Sequence, residues 1–264
     1  MSNIYGDWLK QQREAADLTQ QQLADMAIMT RSHIAHIEAG HRVPSKEDAR
    51  RLDRALNTGN VLSSFLPEED AAVADYFEAA RQLESQAVTI RESAVTFVPG
   101  LLQTRPYARA VLGTTYPPLT AEECDRRLVT RLERARLLDD PVTPVFWALL
   151  DEALLYRVVG DRKVMAGQLT HIAGLAEAGR VRVHVMPRDR GAYPVMQSML
   201  SLMWFEDQPP VAYSEGIHVA KIHDSPAVVD RLQGAYYHAL SDALSLRETV
   251  ALLKSTAKDY EDDA

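Results

Sequence analysis

Arg31, Ser32, His33 and His36 place four hydrogen-bonding side chains within one short segment. Arginine offers a planar fork of donors, serine both donates and accepts, and a neutral histidine does one of each. Such groups read the polar edges of a partner. His33 and His36 stand three apart on one helix face, with His41 close behind, which raises metal binding. No carboxylate or thiolate is placed to complete a shell, so no metal is expected. The chain also lacks a G-x-S-x-G elbow, a G-x-x-x-x-G-K loop and an H-E-x-x-H pair. No catalytic residue and no cofactor is expected. The adjacent pair His223-Asp224 has no nucleophile tied to it and is given no role.

The elements that position these residues belong to a chain of 264 residues, long enough for one to two domains. Hydrophobic residues make up 46% and charged residues 25%, an ordinary globular balance. No apolar run is long enough to span a bilayer, and Met1 to Lys10 lacks the basic-then-apolar pattern of a secretory signal. The single cysteine, Cys124, excludes an intramolecular disulfide framework and fits a reducing cytoplasm. The formal charge of −8 argues against nonspecific binding of polyanions by the chain as a whole. Between Arg31 and Arg54, however, Arg31, Arg42, Lys46, Arg50, Arg51 and Arg54 outnumber Glu38, Glu47, Asp48 and Asp53. That stretch is mildly basic and suits a small number of phosphate contacts.

The first sixty-odd residues read as four or five short helices. Ile4, Trp8, Leu9 and Gln12 begin an amphipathic helix reaching about Ala16. Thr19 caps a second, Gln20 to Ala27, and Ile28-Met29 forms a turn. Thr30 caps a third, in which Ile34 and Ile37 point inward and Gly40 stands at the C-terminal end. Pro44-Ser45 opens a fourth, with Leu52 and Leu56 on its core face. Ala24 is small where two crossing helices must approach. Arg31, Ser32 and His36 then share the outward face near the start of the third helix, the part that a helix-turn-helix inserts into the major groove.

The run Leu18-Thr19-Gln20-Gln21-Gln22-Leu23-Ala24, followed by Thr30-Arg31-Ser32-His33-Ile34-Ala35-His36-Ile37-Glu38-Ala39-Gly40, resembles the Xre family of phage-repressor-type helix-turn-helix proteins over about Tyr5 to Leu56. The resemblance implies sequence-specific binding of double-stranded DNA. It places base-reading side chains at Arg31, Ser32 and His36, with His33 beside them. It places DNA-backbone contacts at Gln20, Thr30, His41, Arg42 and Lys46. Arg31 suits a bidentate contact to guanine, whereas backbone contacts position the protein without specifying sequence. The resemblance also implies a partly buried salt bridge between Arg13 and Glu38, joining the first helix to the end of the third. One position departs from the family, which usually has glycine in the turn where this chain has Ile28. A β-branched residue at positive φ costs on the order of 1–2 kcal/mol, so either the turn is reshaped or the strain is tolerated.

Asn57 to Pro67 carries Gly, Ser and Pro and reads as a boundary. The expected division is residues 1–66 as an all-α DNA-binding domain and residues 67–264 as a linker helix with a larger mixed α/β domain. Val73, Tyr76, Phe77, Ala80, Leu83, Ala87 and Ile90 predict one amphipathic helix, packed on the second domain or on a partner subunit. From Val95 onward the pattern is α/β. Helices are expected at Thr120–Leu138, Asp161–Ala178, Pro226–Ala243 and Glu248–Lys254, with a frayed tail from Lys258 to Ala264. Strands are expected at Pro144–Leu150, Val181–Met186, Met199–Phe205 and Val211–Ser214.

Val98-Pro99-Gly100-Leu101-Leu102-Gln103-Thr104 with Tyr107-Ala108, the Arg131/Arg134 region, Asp151-Glu152-Ala153-Leu154, Gln168-Leu169, the strand ending from Val183 to Pro187 and Tyr213-Ser214-Glu215 resemble WhiJ-type regulators of filamentous actinobacteria. Members join an Xre-type N-terminus to a C-terminal domain of unassigned biochemistry, commonly beside small partner proteins, and some are antitoxin-like. The resemblance implies a protein or small-ligand input. The small footprint of one helix-turn-helix further implies a homodimer on a pseudo-palindromic operator. From the residues alone, Gly100 reads as a turn, and Glu152 and Glu215 as solvated strand ends or caps in preference to ligand contacts. Arg127, Arg131 and Arg134, with Glu123, read as a solvated, salt-bridged helix face in preference to a site for an acidic partner.

Overall fold

The computed structural model describes residues 4–64, 66, 70–216 and 219–262, the side chains of residues 4, 64 and 70–77 excepted. The chain divides into two compact units, Met1–Glu69 and Asp70–Ala264.

The first unit is helical: α1 (Ile4–Ala15), α2 (Gln20–Ala27), α3 (Arg31–Glu38), α4 (Lys46–Leu56) and the short α5 (Val61–Ser64). The helix starts follow side-chain caps. Thr19 forms a capping box with Gln22, Thr30 accepts from the backbone N–H of His33, and Ser45 accepts from that of Asp48. Asp17, Ile28, Gly40 and Asn57 take positive φ where the chain leaves a helix. Leu9, Leu23, Ala24, Ala27, Ile34, Ile37, Leu52 and Leu62 form one buried cluster. The segment expected to be a boundary contains α5, which Asp53 ties down. The buried Asp53 carboxylate accepts from Thr58 Oγ1 at 2.7 Å, Leu62 N at 2.8 Å and Ser63 N at 2.9 Å. Burial pushes this carboxyl up, but those hydrogen bonds outweigh it and hold it below the usual range.

The second unit runs α6 (Asp70–Gln86), β1 (Thr89–Ala94), α7 (Arg105–Leu112), α8 (Ala121–Ala135), β2 (Val145–Asp151), α9 (Ala153–Tyr156), α10 (Arg162–Glu177), β3 (Val181–Met186), β4 (Met199–Trp204), β5 (Val211–Gly216), β6 (Val219–His223), α11 (Pro226–Ser241) and α12 (Leu246–Asp262). A helical N-terminal region followed by a mixed α/β domain is the architecture that the sequence patterns anticipate. The sheet has six strands in the order β3-β2-β1-β4-β5-β6. β1, β2 and β3 are parallel, and β4, β5 and β6 are antiparallel. Alternate residues face opposite sides. Ile90, Phe146, Leu150 and Val183 join Tyr107, Leu169, Ile172 and Leu253 in the larger core. On the other face Leu149, Leu200, Leu202 and Ala212 pack with Val229, Tyr236 and Ala239 of α11.

Two expectations need correction, and one strand goes unanticipated. The amphipathic helix does not continue to Ile90: it stops at Gln86, and Ile90 lies in the central strand β1. The side chains of Val73, Tyr76 and Phe77 lie outside the described residues. The C-terminal helix does not end at Lys254 but runs to Asp262, because Thr256, Ala257 and Tyr260 are buried and Tyr260 Oη donates to the Leu155 carbonyl at 3.0 Å. Asp263 and Ala264 lie outside the described residues. β6 is an edge strand that the sequence patterns do not anticipate.

Candidate nucleic-acid interface

Three of the four base-reading candidates stand on the solvent side of α3. Arg31 begins the helix, and Arg31, Ser32 and His36 are exposed. Behind them Ile34 and Ile37 are buried, so the helix is held from one side and free on the other. His33 is placed differently. Its side chain is only 16% exposed, and Nε2 sits 3.9 Å from Asp48 Oδ2 of α4. It faces the scaffold more than it faces outward.

Of the backbone-contact candidates, Thr30 is exposed and already accepts from His33 N at 3.2 Å. His41 and Arg42 follow α3 closely, since both of their backbone N–H groups donate to the His36 carbonyl, at 2.9 and 3.2 Å. This brings the His36 and His41 rings to 6.3 Å between centroids. Arg42, and Lys46 at the start of α4, are exposed. Arg31, Arg42 and Lys46 make no ion pair among the described residues, so their charges are available to phosphates. Among the described residues no group of three or more His, Cys, Asp or Glu is placed to hold a metal ion.

Beneath this face Arg13 of α1 and Glu38 of α3 meet directly. Arg13 Nε donates to Glu38 Oε1 at 2.6 Å and Nη2 donates to Oε2 at 3.1 Å, a two-point bridge with both side chains buried. Arg13 Nη1 also donates to the Leu18 carbonyl at 2.8 Å, which closes the turn after α1. The Glu38 hydrogen bond, opposed by burial, raises Arg13 above the ordinary guanidinium range. Gln20, a backbone-contact candidate, is drawn into the same clasp: its Nε2 donates to Glu38 Oε2 at 2.9 Å. Ile28 keeps the left-handed conformation, φ 57° and ψ 50°, and the residue is 81% exposed. The turn is therefore not reshaped, and the strain of a β-branched residue is tolerated.

Residues 9–59 match a family described as Helix-turn-helix, and residues 77–255 match one described as Domain of unknown function (DUF5753). The chain belongs to the DUF5753 family. Ahead of that domain it carries an Xre-type helix-turn-helix, and the protein is, at that level, a DNA-binding regulator. No curated protein and no solved structure matches the chain. Among the described residues no helix is long and apolar enough to cross a membrane.

Within the DUF5753 domain the arginine face of α8 corrects the solvated reading. Arg127 is exposed and pairs with Glu123 at 2.7 Å. Arg131 and Arg134 turn inward. Arg134 donates to both oxygens of the buried Glu84, from Nε at 2.9 Å and Nη2 at 2.7 Å, and Arg131 Nη1 donates to Gln103 Oε1 at 3.0 Å. Glu152 acts locally, accepting from the backbone N–H of Arg188 at 2.8 Å. Glu215 accepts from Tyr213 Oη at 2.8 Å beside a cavity. The segment from Val98 to Thr104, in which Gly100 is expected to form a turn, includes a 3-10 turn at Gly100–Leu102 that distant side chains fasten. Gln168 accepts from Thr104 N at 2.8 Å and donates to the Leu102 carbonyl at 2.7 Å, and Gln103 donates to the Val98 carbonyl at 2.7 Å.

Proposed function

We propose that the protein is a cytoplasmic, sequence-specific transcriptional regulator of the repressor type, working as a homodimer on a pseudo-palindromic operator, with the DUF5753 domain receiving its signal. The observation that carries the reading is the outward set Arg31, Ser32 and His36 on α3, backed by a buried bidentate clasp. A helix that must read base edges has to hold its side chains in register, and the Arg13–Glu38–Gln20 network supplies that rigidity. In this reading Arg31 takes a guanine edge, Ser32 and His36 read adjoining bases, and His33 supports them from behind. Gln20, Thr30, His41, Arg42 and Lys46 contact phosphates. One unit has few phosphate contacts and a short footprint, so two units about one helical turn apart give the needed affinity.

The test is selection of fragments of native genomic DNA against random competitor, followed by the mass of the complex in solution. A palindromic consensus and a mass of two chains per site are expected. No preference for any fragment would overturn the DNA reading, and a single chain per site would overturn the dimer.

A second reading, an antitoxin-like protein that binds a small partner and autoregulates its operon, draws on Tyr156 and Val158, large apolar residues left about half exposed around the end of α9. Recovery of a stoichiometric small protein from native cells, lost on Tyr156→Ala, is its expected signature.

A further inference from the structure

The DUF5753 domain holds a cavity of about 660 Å³ on one face of its sheet. Small-molecule sites span roughly 300–1,000 Å³. The pairing of β1, β4 and β5 sets Glu92, Ser201 and Tyr213 in one row on its floor, since Glu92 lies opposite Ser201 and Ser201 opposite Tyr213. Arg131 and Arg134 of α8 and Glu84 of α6 line the same cavity.

The charges of Glu84, Arg134, Arg131 and Glu215 balance in number, but not all of them meet in contact. Glu84 is neutralised by the two-point bridge from Arg134. The Glu92 carboxyl is pushed up to about 8, first by burial and then by Glu84, with Arg134 and Ser201 opposing, so it is protonated near neutrality and offers a donor. Arg131 is different. Its one side-chain hydrogen bond is to a neutral amide oxygen of Gln103, and no carboxylate lies within 4.0 Å among the described residues. A part-buried guanidinium stays charged and is costly without a counter-ion. Glu215 acts on Arg131 only at a distance, so the direct hydrogen-bonding positions of the guanidinium suit an incoming anion.

We propose that this cavity binds a small organic monoanion, a carboxylate on an apolar body, with the carboxylate seated on Arg131. Glu215, in the same cavity, repels a second negative charge, so a monoanion fits better than a phosphate. Val98, Val111, Met199 and Met203 give the remaining wall an apolar stretch, beside Thr96, Gln197, Ser198 and Arg81, which is paired with Glu78. At the mouth Phe97 and Met196 are 36% and 43% exposed, and Val195, next to Met196, is held at φ 66°, a strained conformation for a β-branched residue. The Gln103 that orients Arg131 belongs to the segment fastened by Gln168, so the polar residues of that segment serve the cavity. The inference deepens the signal-receiving role proposed above and rests on it only for its consequence at DNA.

Calorimetry on the full chain without DNA tests it, using octanoate, phenylbutyrate and indoleacetate as probes, with octanamide and inorganic phosphate as controls. At least one carboxylate is expected to bind at one site per chain, with octanamide weaker than octanoate by about tenfold or more, the worth of a charge-assisted hydrogen bond. Arg131→Gln should remove that preference. Met196→Glu, a change at an exposed position, should weaken the carboxylates and leave octanamide little altered. Absence of binding by all three, equal binding of octanoate and octanamide, or tighter binding of phosphate would overturn the proposal. Carboxylate binding that leaves affinity for an operator fragment unchanged would sustain the site and overturn the receiver role. Failure of DNA binding alone would sink the regulator reading and leave the site standing.

Discussion

Gln20 Nε2 and Arg13 Nη2 converge on the same oxygen of Glu38, at 2.9 and 3.1 Å. One carboxylate therefore ties the start of α2 and the end of α1 to the last residue of α3. The helix carrying Arg31, Ser32 and His36 cannot turn without breaking three hydrogen bonds to buried or half-buried groups. Rigidity here comes from a polar clasp more than from a large core, as suits a unit with few residues to bury.

Breaking the clasp from one side should cost more than removing it. Glu38→Ala leaves the Arg13 guanidinium buried without its partner and should destabilise the first unit by about 3–5 kcal/mol. Arg13→Met with Glu38→Leu should cost less than Glu38→Ala alone. Urea unfolding monitored through Trp8 measures both. A double variant less stable than the single one would contradict the argument.

Ile28 gives a prediction in the opposite direction. Its φ of 57° is strained for a β-branched side chain, and that side chain is mostly in solvent, so little packing offsets the strain. Ile28→Gly should stabilise the first unit by about 1 kcal/mol, seen as a rise in its melting temperature with DNA selectivity unchanged.

The two classes of DNA contact separate by salt and by sequence. Arg31→Ala should cost about 1–3 kcal/mol on the operator and relax preference at one base pair. Lys46→Ala should weaken operator and random DNA alike and reduce the slope of log affinity against log salt by about one. Anisotropy titrations across a salt series distinguish them. Unchanged selectivity in the Arg31 variant would remove Arg31 from the base-reading set.

Glu92 ties stability to pH. Its carboxyl is raised to about 8 by burial and by Glu84 and Glu215, against Arg134 and Ser201. Between the unfolded value near 4.5 and about 8 the folded chain holds a proton that the unfolded chain has lost. Stability of the second unit should therefore fall as pH rises through that window and level off above it. Glu92→Gln should remove the effect, gaining on the order of 3–5 kcal/mol over the wild type at pH 9 relative to pH 4. Denaturant unfolding at a series of pH values reads it, and parallel curves for the two proteins would contradict it.

Much of the first unit is legible in the amino-acid sequence because its signals are local. Thr19, Thr30 and Ser45 each cap the helix that follows within three residues, and Leu23, Ile34 and Ile37 declare their face by spacing. His33 is not legible in this way. Its position on α3 is compatible with facing outward, and only the approach of α4 with Asp48 turns it toward the scaffold. β1 is hidden for a related reason. Thr89-Ile90-Arg91-Glu92-Ser93-Ala94 carries two charged residues and continues a helical pattern, yet it pairs on both sides at the centre of the sheet. Arg91 is tolerated there because it lies over the rings of Trp147, Trp204 and Tyr237, and Glu92 because it opens into the cavity.

The amino-acid sequence by itself determined the helix-turn-helix, because capping, helical periodicity and turn chemistry act over a few residues. The tertiary structure alone decided the cavity. Glu84, Glu92, Arg131, Ser201 and Glu215 come from five separate elements, and whether a charged side chain is a solvated surface residue or a buried group seeking an ion depends on what the rest of the chain brings against it.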